Sequence, residues 1–582
     1  MIDSSESFLC RNCRTPLAGI ISVPPSPIPH LLGTNKVPSD AEAHKIRVSI
    51  ATVRSGISQL DVDIARAQHV LDQLRTEREA LKAYVDDHAM VISPVRQVPA
   101  EIWSQVFLHC LPRIVELPWS TDDIIFSKRE VFNPRNAPTL LLRVCRDWTT
   151  TALSSPRLWA RIGLFSRPCF QPTAATIRTW LRRSHQVPLT VVFQPNQLAV
   201  DGMNSFFQNP AIPSVLEQSH RWRVVNIRFP LFLLSMFSPL KNHLPELEEL
   251  HLRFYSVYPP DTPVHTSVDI FHNAPKLRRV TLYDPPPIHI SNIKLPWTQL
   301  TKFSSHHPQG MALLWNVLNL ASNLVEVDWR LGPYDSQNQA WRVDAPPPMV
   351  QHLSLRDFSI HVDEPALSGI FLDRITLSSL RTLSINASAQ CWSMPQLASF
   401  ISQNRCSLDS FELDSSDISG SQLIACMENL QSISHLTLSI CISVALPTTQ
   451  SKLNTAQKAV GTLLRALSYT SGRKDLVLLP KLKTIAIQCR IPVSCEVGGE
   501  FVDMVESRWR VPALSHGRDM SCQSNVTASR LDAASLKLEC SPEFNMNPVD
   551  LGRLQTLRDE GLPVQVSLSY KRSLLFHVIP TS

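Results

Sequence analysis

Apolar residues recur at alternating steps of three and four along residues 46–85, with Arg78 as the single break. This spacing is a heptad repeat, and it predicts a coiled coil or a long helix that needs a partner face. Isoleucine dominates one seam position and leucine, valine or alanine the other, which is compatible with a parallel pair of helices. Whether the partner is a second copy or the chain's own residues stays open. The seam consists of Ile46, Ile50, Val53, Ile57, Leu60, Ile64, Ala67, Leu71, Leu74, Leu81 and Val85.

A second amphipathic pattern follows in "VPAEIWSQVFLHCL" (98–111). Pro99 suits the first turn of a helix, because its missing N–H would have no partner there. Glu101 complements the positive end of the helix dipole. The next apolar residues fall on neighbouring rows and give a wide face, until Pro112 ends the helix. By periodicity alone, such a face is typical of a domain's own core.

Two further segments carry tryptophan at helical spacing, after a polar insert that prolines interrupt. The segment "TLLLRVCRDWTTTAL" (139–153) predicts a helix with Trp148 on its apolar face. In "RLWARIGL" (157–164), Leu158 and Ile162 again have helical spacing. A Ser-Ser-Pro sequence separates the two segments and predicts a break between them.

Downstream, short units recur in which apolar residues are separated by two, two and then one position. Most neighbouring units lie about 25–30 residues apart, and the pattern resembles a leucine-rich repeat. In such a repeat, stacked strands share one continuous core. Because a regular asparagine ladder is absent, we expect an irregular solenoid. The clearest units are "LPELEELHL" (244–252), "APKLRRVTL" (274–282), "ASNLVEVDW" (321–329), "LSSLRTLSI" (377–385), "CSLDSFEL" (406–413) and "LPKLKTIAI" (479–487), with weaker ones at "LPWTQLTKF" (295–303), "VQHLSLRDF" (350–358) and "ISHLTLSI" (433–440).

Segments outside these units also have regularly spaced apolar residues. A basic amphipathic helix and a strand are predicted in residues 175–193, a strand in 219–229, and a helix with Trp509 in the core in 501–509. Charges interleaved with periodic apolar residues favour a solvated face over an anion site. This applies to Arg182, Arg183, Arg221 and Arg223. We expect the adjacent His306 and His307 in a loop, since neighbours on a strand or helix point in different directions.

Composition narrows the classes of function. Of the 582 residues, 43% are hydrophobic and 18% charged, with a net charge of +6. The basic residues are interspersed with acids, which disfavours nucleic acid binding. The chain has only 16 glycines and no phosphate-loop or GxSxG motif, and no catalytic set is identifiable from spacing. We therefore expect neither enzyme activity nor a cofactor.

The N-terminal segment, residues 1–40, contains clustered prolines and predicts disordered chain. Its Cys10 and Cys13 form a lone CxxC without the second pair of ligands that a structural zinc site needs, so we expect no metal. No apolar stretch reaches the roughly 18 residues of a membrane span, and no secretory signal is visible. Several of the 13 cysteines lie in apolar runs. These features favour a reducing, intracellular location, in the cytoplasm or nucleus, without a membrane segment.

The segments between residues 98 and 164 resemble the F-box, and by this match, which covers Val98 to Leu164 only, the chain is similar to F-box proteins of the fungal type. In that family a proline-acid start, a Val-Cys-Arg-x-Trp segment and a final Leu-Trp follow in this order. The resemblance implies a three-helix module that binds the Skp adaptor of a cullin-RING ubiquitin ligase. A long interruption at residues 112–137 departs from the family pattern. By position, the implied contact set is Val98, Pro99, Ile102, Val106, Phe107, Leu111, Val144 and Trp148.

Together these patterns predict an α/β repeat protein in four parts. They are a disordered segment (1–40), a coiled coil (41–91), an F-box (92–164) and a leucine-rich-repeat-like, substrate-binding region (165–582). The expected function is substrate recognition in a Skp-cullin-F-box ligase, with an unidentified protein as the target. The alternative is a leucine-rich-repeat scaffold for protein interactions outside any ubiquitin ligase. Self-association through the coiled coil remains possible under both.

Overall fold

A computed structural model gives the structure of the chain. The residues that it describes are 23–112, 132–165, 172–194, 208–228, 237–253, 268–283, 293–309, 311–332, 349–362, 372–387, 394–404, 407–416, 418–441, 450–469, 477–490, 495–511, 528–540, 546–570 and 576–578. Two units are distinguished, Met1–Trp103 and Ser104–Ser582. Cys10, Cys13 and most of the insert at 112–137 lie outside the described residues.

The N-terminal unit is dominated by one helix of 52 residues, α1 (Asp40–Val91). Ser39 begins it with a capping box: the Ser39 hydroxyl accepts from the Glu42 backbone N–H, and the Glu42 carboxylate accepts from the Ser39 N–H at 2.8 Å. The helix ends at Ile92, just before the proline that is incompatible with its continuation. None of its residues is buried. The predicted long helix is therefore confirmed.

Short helical elements follow. A 3-10 turn (Pro94–Gln97) precedes α2 (Ala100–His109), and a second 3-10 turn (Leu140–Arg143) precedes α3 (Arg146–Leu153). The single helix predicted over 139–153 is thus divided in two. The helical spacing at 157–164 was misleading, because a 3-10 turn (Pro156–Trp159) is followed at once by the first strand. Four residues are too few to show whether a helical spacing continues.

The second unit is built on one large, mainly parallel sheet. Among the described residues, fifteen strands form it in the order of the sequence, and only the last one is antiparallel to its neighbour. A separate pair, β8 (Val350–Gln351) and β10 (Ile375–Thr376), is also parallel. The chain is thus an α/β protein with a long N-terminal helix and a large parallel sheet. The sheet strands are β1 (Arg161–Phe165), β2 (Leu189–Gln194), β3 (Trp222–Arg228), β4 (Glu249–Arg253), β5 (Arg279–Tyr283), β6 (Lys302–Gln309), β7 (Glu326–Leu331), β9 (Asp357–Val362), β11 (Thr382–Ala387), β12 (Ser410–Ser416), β13 (His435–Cys441), β14 (Thr484–Arg490), β15 (Ala533–Cys540), β16 (Val564–Tyr570) and β17 (Phe576–Val578).

Helices lie in the connections between many of these strands. From residue 394 onward these helices contact each other in sequence order: residues 394–404 contact 420–428, 420–428 contact 450–467, 450–467 contact 495–509, and 495–509 contact 548–559. Within the described part of the chain, no helix combines the length and the apolar character needed to cross a bilayer. The helices of this unit after α3 are α4 (Ala174–Arg183), α5 (Ala211–Leu216), α6 (Met311–Leu320), α7 (Met394–Asn404), α8 (Gly420–Glu428), α9 (Gln450–Leu467), α10 (Cys495–Trp509) and α11 (Pro548–Asp559).

All nine recurring units of the sequence end in a strand of this sheet. Successive residues of a strand point to opposite faces, so the alternating apolar residues share one face. In β7, for example, Val327, Trp329 and Leu331 are fully buried, and Val327 lies in register between Phe303 and Phe358. Rows of this kind make the core continuous from strand to strand.

A backbone contact repeats where the strands begin. The N–H groups of Arg278 and Arg279 both donate to the Glu248 carbonyl, at 2.9 and 3.0 Å. The same arrangement returns at each strand of the sheet from β6 to β15, as where Arg381 and Thr382 donate to the Arg356 carbonyl at 2.8 and 2.9 Å. The repeated contact fixes the register at each strand start, which keeps the buried rows aligned.

The structure buries Arg508 in place of Trp509, which was the predicted core residue. Trp509 is only half-buried, and its indole N–H donates to the Glu560 carboxylate at 2.8 Å. Arg508 is the fully buried residue: its Nε donates to the Leu467 carbonyl at 2.6 Å and its Nη1 to the Leu479 carbonyl at 3.0 Å. Burial lowers the pKa of Arg508 to about 10. The guanidinium supplies donors for the Leu467 carbonyl at the end of α9 and for the Leu479 carbonyl in the segment before β14.

A second arginine also departs from its prediction. Arg182 and Arg223 are exposed as expected, but Arg221 is buried. Its Nη2 donates to the Val187 carbonyl at 2.8 Å and to the Ser184 hydroxyl at 2.9 Å, so it holds the turn that follows α4. Burial lowers the pKa of this guanidinium. The predicted solvated face is therefore wrong at this position.

The histidine pair is also placed differently from its prediction. His306 and His307 lie in β6, and the expected loop is not observed. Nδ1 of His306 is 3.6 Å from Oδ2 of Asp328, and its ring centroid is 4.9 Å from that of Tyr283.

Candidate protein-docking surface

The three segments that follow α1 in sequence are packed together at the beginning of the second unit. The Phe107 ring of α2 lies 4.9 Å from the Trp148 ring of α3, between centroids. The hydroxyl oxygens of Ser104 and Ser155 are 2.7 Å apart, which joins α2 to the chain just before the Pro156–Trp159 turn. Residues separated by an insert in the sequence therefore form one small helical module.

Local capping explains why the second segment is divided. The Cys145 sulfur accepts from the Trp148 backbone N–H at 3.5 Å and acts as the N-cap of α3. The Thr149 hydroxyl donates to the Leu142 carbonyl at 3.0 Å and so ties α3 back to the preceding 3-10 turn. Val144 lies between these two elements and is 53% exposed.

The third segment forms the base of the module. Leu158 and Trp159 are fully buried, and the Trp159 indole N–H donates to the Ala152 carbonyl of α3 at 2.9 Å. The Trp159 ring meets the Trp180 ring of α4 edge to face at 5.2 Å, and the Arg183 guanidinium lies 4.4 Å from the Trp159 ring centroid. The module is thus fixed onto the elements that begin the sheet.

The predicted contact residues differ in their exposure. Phe107 and Leu111 are buried, at 0% and 6% exposed, and therefore belong to the core of the module. Trp148 is half-buried, while Val106 is 42% exposed. Val144 is exposed as well, so α2 and the residues just before α3 each present a valine to solvent.

The predicted residues at the end of the N-terminal unit are also accessible. Val98 is half-buried, Pro99 is exposed, and Ile102 is 53% exposed. The N–H groups of Ile102 and Trp103 both donate to the Pro99 carbonyl at 3.1 Å, which begins α2 directly after the proline. Ile102 and Val106 are four residues apart on this helix and share one of its faces.

Two exposed leucines of the module were not among the predicted contact residues. Leu140, in the first turn of the second segment, is 43% exposed, and Leu153, the last residue of α3, is 39% exposed. Sequence reasoning assigned residues 139–153 to a single helix with Trp148 on its apolar face and counted neither of these leucines with that face. The break at Cys145 changes the directions of the flanking side chains.

The open face of the sheet carries polar side chains between the buried rows. One row runs in register through Glu249, Arg279, Lys302 and Glu326. The Glu249 carboxylate accepts from Nε2 of His251 at 2.8 Å and from Nη2 of Arg279 at 2.7 Å. These hydrogen bonds, that from His251 first, hold the pKa of Glu249 at about 2. The charges in this row are thus largely neutralised within the sheet.

A neighbouring part of this face brings together Tyr283, His306 and Asp328. Burial raises the pKa of both the Tyr283 phenol and the Asp328 carboxyl. Among the described residues, no group of three or more His, Cys, Asp or Glu side chains has the arrangement of a metal site. The polar face offers hydrogen-bonding groups of both kinds, which suits contact with a protein surface.

No family model matches the chain, and no curated protein matches it either. The contacts and exposures of the described residues are therefore the basis for assigning a role. They single out two surfaces, the exposed apolar residues of the helical module and the polar open face of the sheet.

Proposed function

We propose that the chain is an F-box substrate-recognition subunit of a Skp-cullin-F-box ubiquitin ligase. The observation that carries the proposal is the close packing of three F-box-like segments whose outer side keeps Val106 and Val144 exposed. A small module that leaves branched apolar side chains in water gains stability when a partner covers them, by roughly 1.5–3 kcal/mol for each fully buried side chain.

The Skp-type adaptor is the proposed occupant of this surface, and a cullin would join the complex through it. On the second unit, Val106 and Val144 would contact the adaptor directly together with the half-buried Trp148. Val98, Pro99 and Ile102 of the N-terminal unit would contact it as well. Phe107 and Leu111 would contribute by fixing α2 from within, because neither has enough exposed surface to contact a partner.

The sheet region would hold the target protein. Its strands follow one another in sequence order, and nine recurring units end in them, which supports an irregular leucine-rich-repeat-like solenoid. The polar open face is the proposed contact surface for the target, since its side chains point away from the core and offer hydrogen-bonding groups to a partner. The chain itself would act without a cofactor, by raising the local concentration of the target near the ubiquitin-carrying enzyme.

Capture of a purified Skp-type adaptor by the full chain tests the proposal. We expect wild type to retain the adaptor, and Val106→Asp or Val144→Asp to weaken binding by more than about tenfold, because a carboxylate would be buried at the contact. The matched control is Val549→Asp, which makes the same change at a valine of α11 that is 68% exposed. Circular dichroism would establish that each variant is folded.

Two outcomes would contradict the adaptor proposal. One is that folded wild type captures no adaptor, and the other is that all four proteins capture it equally. The scaffold alternative predicts that Val106→Asp leaves target turnover in cells unchanged. Point variants are preferable to deletion of residues 92–164, because that deletion would remove most of β1, Arg161–Phe165, from the sheet.

A further inference from the structure

The apolar seam of α1 is exposed, and the described part of the chain has no second helix long enough to cover it. Its 52 residues correspond to a length of about 78 Å. Among the described residues the next longest helix is α9, whose 18 residues span about 27 Å. Ile57, Ile64 and Leu81 on the seam are 52%, 54% and 69% exposed. A partner of similar length is needed to bury the seam.

The types of residue on the seam favour two parallel strands. In heptad notation the a positions are mainly isoleucine, and the d positions are leucine, valine, isoleucine or alanine; this distribution favours a parallel dimer. Arg78 is the single charged residue on the seam, and a polar residue at one a position fixes the register at some cost in stability. The a positions are Ile50, Ile57, Ile64, Leu71, Arg78 and Val85, and the d positions are Ile46, Val53, Leu60, Ala67, Leu74 and Leu81.

The flanking charges are compatible with a second copy in parallel register. In that arrangement a g residue meets the e residue five positions later on the partner helix. Glu77 then faces Lys82 and Glu42 faces Arg47, both as opposite charges. The remaining g–e combinations join a charged residue to an uncharged one, so no g–e combination brings like charges together, and the one like-charge contact of the parallel pair is that of Arg78 with Arg78 at the a position. These remaining g–e combinations are Ser49 with Arg54, Gly56 with Asp61, Asp63 with Gln68, and Val70 with Arg75.

The antiparallel arrangement of the same seam is electrostatically unfavourable. When the helices run in opposite directions with the whole seam overlapped, e residues face e residues. Arg47 then faces Lys82, and Arg54 faces Arg75. By symmetry each of these like-charge contacts occurs twice, and all of them are absent from the parallel pair.

We infer that α1 pairs with α1 of a second copy of this chain as a parallel, in-register, two-stranded coiled coil. The chain is then a homodimer that carries two copies of the sheet unit. This inference rests on the N-terminal unit alone and does not depend on adaptor binding. Failure of either proposal therefore leaves the other standing.

The mass of the full chain in solution tests the pairing. We expect sedimentation equilibrium at micromolar concentration to give twice the 65.4-kDa mass of one chain. Ile64→Asp places two carboxylates against each other in the seam and should raise the dissociation constant by more than about tenfold. Val62→Asp is the matched control: Val62 is 51% exposed, close to the 54% of Ile64, but lies on the outer side of the helix. It should remain dimeric.

Charge reversal tests the direction of the helices. Glu77→Lys and Lys82→Glu should each weaken the parallel dimer about threefold to tenfold, and the double variant should restore it, because the opposite charges are exchanged between the copies. In an antiparallel dimer, Lys82→Glu would instead strengthen association, since its new carboxylate would face Arg47.

Each contrary result overturns a defined part of the inference. A monomeric wild type at micromolar concentration would overturn the pairing with a second copy. Equal dissociation of Ile64→Asp and Val62→Asp would show that the wrong face was assigned. Stronger association of Lys82→Glu would overturn the parallel direction.

Discussion

Helix α1 and the parallel sheet both carry strictly periodic apolar residues, yet only the sheet buries them within the chain. No residue of α1 is buried, whereas Phe358, Ile360 and Val362 on β9 are at most 3% exposed. The difference in burial depends on whether the chain contains a neighbouring element of the same period. Every strand between the two ends of the sheet has a strand of matching period on each side, while α1 has no helix of matching length in the described part of the chain. Periodicity identifies an element and its apolar face, and repetition shows whether the chain supplies the partner.

In the helical module, a buried and an exposed apolar residue are neighbours on a single turn of α2. Phe107 is fully buried against Trp148, while the preceding residue, Val106, is 42% exposed. Adjacent positions on a helix point about 100° apart, so one can belong to the core and the other to a contact surface. A wide apolar stripe is therefore informative about partners only after its buried half has been identified.

Truncation of an apolar side chain should give the largest difference in unfolding free energy between the sheet and α1. Phe411→Ala on β12, at a position without exposed surface, should lower the free energy of unfolding by about 3–5 kcal/mol. Leu81→Ala on α1, at 69% exposure, should change the stability of the sheet unit by less than about 0.5 kcal/mol. Urea unfolding followed by tryptophan fluorescence measures both. A similar loss for the two variants would mean that α1 contributes to the sheet unit's core.

Removing a carboxylate should give a smaller difference in unfolding free energy between the sheet and α1. Glu249→Gln should lower the free energy of unfolding by about 1–2 kcal/mol at pH 7, because the carboxylate is stabilised in the folded state. Since the folded pKa of Glu249 is about 2, below its ordinary value near 4.5, this contribution is complete above pH 4.5 and disappears as the pH falls toward 2. The difference between wild type and variant should shrink over that range in urea titrations.

The control for this prediction is Asp63→Asn on α1. The Asp63 carboxylate lies 3.4 Å from Arg66, whose side chain is 58% exposed, and exposed pairs of this kind contribute about 0–1 kcal/mol. The unfolding free energy of the sheet unit should be unchanged by it at every pH. A pH-independent effect of Glu249→Gln would show that packing, and not ionisation, accounts for the loss.

The smallest effect concerns two equivalent capping boxes. Ser419 begins α8 and Ser39 begins α1, each with its hydroxyl accepting from the backbone N–H three residues later. Ser419→Ala should lower the free energy of unfolding of the sheet unit by about 1 kcal/mol. Ser39→Ala should reduce the helix content at the start of α1 and leave that unfolding unchanged, because a terminal turn without packing frays independently. Hydrogen exchange resolves the two effects.

Much of the fold could be predicted because local patterns repeat. All nine recurring units end in strands of one sheet, and β2 and β3, Leu189–Gln194 and Trp222–Arg228, were anticipated in their segments, with β2 ending one residue beyond. β15 was missed because the same apolar spacing falls there partly on alanine, at Ala528, Leu531, Ala534 and Leu536, and β16 was missed because this spacing is absent before it. In β15, "AASLKLEC", the alternation of Leu536, Lys537 and Leu538 was the available signal.

The buried arginines could not be predicted, because their partners are backbone carbonyls distant in sequence. Arg508 bonds to Leu467, 41 residues away, and Arg221 bonds to Ser184, 37 residues away. A sequence shows the donor but not where folding leaves an acceptor unsatisfied. In the candidate site, likewise, the pattern identified the three segments, while the break at Cys145 and the burial of Phe107 and Leu111 required the structure.

The order of the strands has a consequence for synthesis of the chain. At roughly 5–20 residues per second, a new strand leaves the ribosome every few seconds, far more slowly than strands pair. Each new strand finds its sheet neighbour already made, because that neighbour always precedes it in the chain. The sheet can therefore be assembled from β1 onward during translation, with its growing edge always at the newest strand.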